Sequence, residues 1–96
     1  LSFAGHVTVA VAIEKNGDIA SELDVVAIGL PLETAAGDDF EDLAFDAALG
    51  ALESIPVRKR RDPDTVREAL RRAVRAAVRN EWGKKPITTV IVNMVS

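Results

Sequence analysis

Residues 62–86 read DPDTVREALRRAVRAAVRNEWGKKP, and their reading as one helix with both ends marked decides the fold. Asp62 is a natural acceptor for a first-turn amide, and Pro63 suits the first helical position. Asp64 and Glu68 set negative charge near the positive end of the helix dipole. Gly83 suits the left-handed conformation that stops a helix, and Lys84 and Lys85 suit its negative end. Val66, Leu70, Ala73, Val74 and Ala77 recur at spacings of three and four, extended toward Trp82 as a helix-end anchor. Arg67, Arg71, Arg72, Arg75 and Arg79 fall off that stripe. The helix has one face for a core and another rich in arginine.

Working outward, residues 38–55, DDFEDLAFDAALGALESI, predict the other helix. Asp38 or Asp39 caps it, and acids crowd its first turn. Phe40, Leu43, Ala44, Ala47, Ala48, Ala51, Leu52 and Ile55 form its apolar side. Gly50 sits in its middle at a cost of about 1 kcal/mol relative to Ala, for which a close approach to the second helix is the expected offset. Pro56 ends it, and residues 57–61, VRKRR, connect the two helices.

Strands flank this pair. Residues 4–14, AGHVTVAVAIE, alternate, with Val7, Val9, Val11 and Ile13 on one face and His6, Thr8, Ala10 and Ala12 on the other. Asn16-Gly17 signals a hairpin whose two turn positions both tolerate positive φ. A second strand is expected over 19–29, with Leu23, Val25 and Ala27 on one face and Glu22, Asp24, Val26 and Ile28 on the other, ending at Gly29-Leu30-Pro31. After Pro86, residues 87–95 form an uncharged β-branched strand. The predicted fold is a two-layer α+β domain of order ββααβ. A three-stranded mixed sheet of order 2-1-3 packs on two antiparallel helices.

Ninety-six residues make a single domain, 1–96, that buries roughly 60–65% of its unfolded surface. With three Phe, one Trp and no Tyr, the core rests on Val, Leu, Ile and Ala. The absence of cysteine excludes disulfides and Cys-based zinc sites. No apolar run reaches membrane-spanning length, so no membrane role is expected. A start at Leu1 rather than Met is expected of a segment cut from a longer protein. Charge is uneven: residues 1–57 carry −10 and residues 58–96 carry +7, which gives −3. Such halves attract each other or present different surfaces to partners.

Chemistry is thin. His6 is the only histidine, and one imidazole sets no metal spacing. Asp38, Asp39, Glu41 and Asp42 read as a capped, solvated helix start, without a calcium-loop pattern. The serines have no adjacent base, and no glycine-rich phosphate loop exists. The basic cluster Arg58, Lys59, Arg60 and Arg61 has two readings. One is a solvated connector or a partner for the acidic first helix. The other is an RNA-phosphate contact continued by Arg67, Arg71 and Arg75. A second surface is the uncharged third strand, with Val90, Ile91, Val92 and Met94, beside the small residues Thr8, Ala10 and Ala12 of the first strand. It is expected to be an interface. From the residues alone the reading is a small α/β interaction domain without catalytic residues.

The chain also resembles the C-terminal domain of ribonuclease J, in its proteobacterial form. The match is most specific in Arg58-Lys59-Arg60-Arg61-Asp62, in the Arg/Ala/Val run of residues 66–79, and in residues 81–86, EWGKKP, before a Val/Ile strand. Gly5 to Ile13, Asn16-Gly17, Gly29-Leu30-Pro31 and Glu41-Asp42 add to it. The resemblance implies a cytoplasmic RNA-processing and RNA-decay enzyme of the metallo-β-lactamase and β-CASP class. Such enzymes are zinc-dependent 5′–3′ exoribonucleases and endoribonucleases, with zinc motifs in a larger N-terminal part. It implies for this piece a non-catalytic accessory domain without a cofactor, supporting assembly of a homo-oligomer, dimer or tetramer. RNA would be met through the full-length enzyme. No catalytic or metal residue carries over.

Overall fold

The central strand β1, His6–Glu14, buries Val7, Val9, Val11 and Ile13 almost completely, and the other elements are placed around it. The structure is a computed structural model that describes residues 5–20, 23–29, 39–83 and 86–95, apart from the side chain of residue 82. Strand β2, Asp24–Ile28, pairs antiparallel with β1, and β3, Ile87–Val95, pairs parallel with it along all nine residues. The order is β2-β1-β3, as the cleaner alternation of the first strand predicts. Residues 30–38, which include Leu30 and Pro31, lie outside the described residues, as do Lys84 and Lys85.

The turn after β1 differs from the expected one. Only Gly17 has positive φ, at 97°, so the turn is not the two-residue type with both centres left-handed. Gly17 N–H donates to the Glu14 carbonyl at 2.8 Å, and Glu14 N–H donates to the Asp18 carbonyl at 2.7 Å. This is a type I turn closed by a glycine bulge. Asn16 keeps a negative φ and uses its side chain instead, accepting from Asp18 N–H at 2.9 Å. The second strand is also shorter than the sequence suggests. Ile13 bridges Ile19, whereas Ala10 pairs with Asp24. Three steps back along β1 thus match five steps forward, a register shift of two. An even shift keeps every side chain on its original face, so Leu23, Val25 and Ala27 still point to the core.

The helices α1, Phe40–Ser54, and α2, Pro63–Trp82, cover one side of the sheet. Asp39 caps α1 by accepting from Glu41 N–H at 2.7 Å. Asp62 caps α2, accepting from Asp64 N–H at 3.1 Å and from the Thr65 hydroxyl at 2.9 Å. Gly83, with φ 79°, closes α2 by donating to the Arg79 carbonyl. Each helix buries a strict four-residue row: Phe40, Ala44, Ala48, Leu52 and Val66, Leu70, Val74, Val78. Val78 is absent from the stripe read in the sequence, where Ala73 and Ala77 stood instead; these two are half-buried flanks. The connector at 57–61 is a 3₁₀ helix, Val57–Arg61. A side chain on Gly17 would place a Cβ 2.3 Å from the Val57 carbonyl oxygen, so the hairpin turn abuts this connector. Gly50 contradicts its expected role. It is exposed, and a Cβ there would meet nothing within 4 Å, so no close helix approach accounts for it.

The charges of α2 are partly self-neutralised. Glu68 Oε1 accepts from Arg71 Nη2 at 2.6 Å and Arg72 Nε at 2.9 Å, while Oε2 accepts from Arg71 Nε at 3.2 Å. Asp64 pairs with Arg67 in the turn before. Hydrogen bonds from Arg71, then Arg72, hold the Glu68 carboxyl well below its usual 4.5, at about 2.

Three outcomes follow from this geometry. Gly50→Ala should raise unfolding stability in urea by about 1 kcal/mol, because it adds helix propensity into open space. Gly17→Ala should lower it by more than about 1 kcal/mol, from both the left-handed backbone and the Val57 clash. By NMR, the Glu68 carboxyl should titrate near 2 and return toward 4.5 in an Arg71→Gln/Arg72→Gln variant. A carboxylate with a lowered folded pKa stabilises above its unfolded value. Its contribution is therefore intact above about 4.5 and lost as the pH falls through about 2.

Candidate functional site

Two helices cover one face of the sheet, and no described element covers the other. Parallel register places His6 beside Ile87, Thr8 beside Thr89, Ala10 beside Ile91, Ala12 beside Asn93 and Glu14 beside Val95. On the other flank Ile28 lies beside His6, Val26 beside Thr8 and Asp24 beside Ala10. Alternation makes all of these share the uncovered face. Its middle column, Thr8, Ala10 and Ala12, is low. Its margins carry exposed Val26 and Ile28 on one side and Ile87, Ile91 and Val95 on the other. The face is a shallow apolar trough, and at one end His6 Nε2 meets the Thr89 hydroxyl at 3.0 Å.

The interface residues expected from the sequence divide between two faces. Thr8, Ala10, Ala12 and Ile91 lie together on the open face. Val90 is buried in the core, and Val92 and Met94 pack against it from the covered face. These three are therefore behind the sheet, since even-numbered positions of β3 share the face of Val9 and Val11. Ile87 and Val95 of the expected third-strand surface also belong to the open face, and Val26 and Ile28 join them although neither was among the expected site residues. Alternation in both flanking strands carries that signal, and the strand order turns it into one surface.

The basic residues also divide. Arg58, Lys59 and Arg61 are exposed on the 3₁₀ connector, and Arg60 is half-buried with its Nε unbonded. Arg61 Nε reaches toward the Asn16 carbonyl at 3.5 Å. Between the connector and the middle of α2 stand the carboxylates of Asp64 and Glu68, paired with Arg67, Arg71 and Arg72. They place negative charge among the basic residues from 58 to 75. Beyond them, Arg71, Arg72, Arg75 and Arg79 line a shallow recess of about 370 Å³ with Ala76. The acidic first helix does not neutralise these residues: every ion pair among the described residues lies within α2.

Among the described residues no group of three or more His, Cys, Asp or Glu is placed to hold an ion, and the single histidine faces Thr89. Among those residues, too, no helix is long and apolar enough to cross a membrane. Asp39 serves as a helix cap, and Asp38 lies outside the described residues.

Comparison with known proteins places this architecture. Residues 1–95 match the family model described as the ribonuclease J C-terminal domain. Ribonuclease J of Sinorhizobium meliloti, a proteobacterium, is 50% identical over 95 residues, covering 99% of this chain. The chain spans 17% of that protein's length. A capped arginine helix, a two-layer ββααβ fold and a match over nearly every residue lead to one assignment: this chain belongs to the ribonuclease J C-terminal domain family.

Proposed function

We propose that this chain works as a non-catalytic C-terminal accessory domain of a larger cytoplasmic ribonuclease of the ribonuclease J type, and that its open sheet face supports assembly of the enzyme with a second copy. In this reading the RNA hydrolysis and any zinc chemistry belong to the rest of the longer protein. The observation that carries the assembly role is the apolar trough on the open face. Exposed apolar side chains scattered singly are ordinary, but here five border one continuous small-residue floor. An edge strand adds to it: β3 runs nine residues at the sheet margin without a charge, proline or glycine to blunt pairing.

Size sets the strength of such a contact. Strand rise and spacing give the face an area on the order of 400 Å². A standard stable interface buries about 800 Å² per partner. The face alone thus supports weak association, which contacts elsewhere in the longer protein would reinforce.

The test is solution mass by light scattering, with circular dichroism as the check on folding. The native chain should gain mass as its concentration rises. Lysine at an exposed site on the trough, Ile91→Lys or Thr89→Lys, should weaken that association by at least about tenfold. Pairing would bury an uncompensated charge there. A native chain that stays monomeric at high concentration, together with unaltered assembly of the longer enzyme carrying Ile91→Lys, would overturn the reading.

A further inference from the structure

The second half of α2 carries charge that the fold itself does not use. In the first half each arginine has a carboxylate: Arg67 has Asp64, and Arg71 and Arg72 share Glu68. From residue 69 to residue 80 the sequence holds four arginines and no acid. Arg71, Arg75 and Arg79 follow one another at four-residue spacing, an arrangement in which like charges oppose helix formation. No carboxylate pairs with Arg75 or Arg79 among the described residues. The helix dipole favours Arg79, in the last turn, but its influence fades before Arg75. Arg72 commits only Nε to Glu68, which leaves its terminal nitrogens available. Ala76 stands among these side chains as a small residue and keeps the recess open.

We infer that this recess is a binding site for the phosphodiester backbone of a nucleic-acid strand, with Arg75 and Arg79 as the principal contacts and Arg72 beside them. Guanidinium forks match phosphate oxygens in pairs. Arginines four residues apart on a helix are stepped by about 6 Å along its axis, comparable with the separation of successive phosphates in a strand. Among the described residues no aromatic side chain lines the recess, and binding through phosphates alone is indifferent to sequence. The chain carries −3 overall, which confines attraction for a polyanion to this helix and the connector before it. The site uses residues of the helical layer alone, so it stands whether or not the open sheet face mediates assembly.

The test is fluorescence anisotropy of the 96-residue chain with labelled oligouridylate and oligoadenylate, at low and at physiological salt. Both should bind alike. Arg75→Gln/Arg79→Gln should weaken both by about tenfold at low salt. It should also reduce the slope of log affinity against log salt by about 1.4, as for two phosphates on a single strand. Arg75→Lys/Arg79→Lys should retain that slope. Arg67→Gln, which removes the same kind of charge outside the recess, should change affinity by less than about twofold. The proposal is overturned by absence of binding at low salt, by an unaffected double Gln variant, or by an equal loss in Arg67→Gln. Equal displacement of the RNA by polyglutamate would overturn it as well, because the recess would then not favour phosphate.

Discussion

Burial of one face of β1 is the constraint on which the structure depends. Val7, Val9, Val11 and Ile13 are sealed between the flanking strands and two four-residue helix rows, and few aromatics are available to fill the space otherwise. Each of these side chains contributes roughly 1.5–3 kcal/mol when fully buried. The alanines at 44 and 48 carry the same burial into α1 with little volume, and that helix packs more extensively on α2 than on the sheet. A molecule measuring 17 Å along its shortest Cα axis has room for one sheet and one helical layer. Among the described residues there is no third layer over the remaining face, so the open trough follows from how the core is built.

The same economy separates the two surfaces. The open face is nearly uncharged apart from His6, Asp24 and Glu14 at its margins. The arginine recess lies on the helical layer and excludes apolar partners by its charge. Surface ion pairs such as Glu68 with Arg71 and Arg72 are too solvated to hold the fold, yet they decide where positive charge remains free. Asp64 and Glu68 neutralise the start of α2 and thereby set the unpaired arginines apart from the connector. The hairpin turn braces that connector through Gly17, which links the position of residues 57–61 to the turn chemistry of residues forty positions earlier.

Local chemistry determined the elements of this protein. Asp62 with Pro63, Gly83, Asp39 and Pro56 mark helix ends through hydrogen bonds and backbone restrictions that act within a few residues, and alternation in residues 6–14 marks a half-buried strand. The order 2-1-3 was legible as well, because only the cleanest alternating strand can be central. Matters of a few ångströms or of distant partners were not legible. The turn at Asn16-Gly17 takes a glycine bulge and packs against Val57, a residue forty positions away, and the register shift before β2 appears only in the pairing across the sheet. Val78 joined the core because α2 lies along the sheet on a strict four-residue row. The open face gathers residues from three strands, and the recess depends on which arginines found a carboxylate. Periodicity names the face of one element, whereas a surface exists only once several elements have been set side by side.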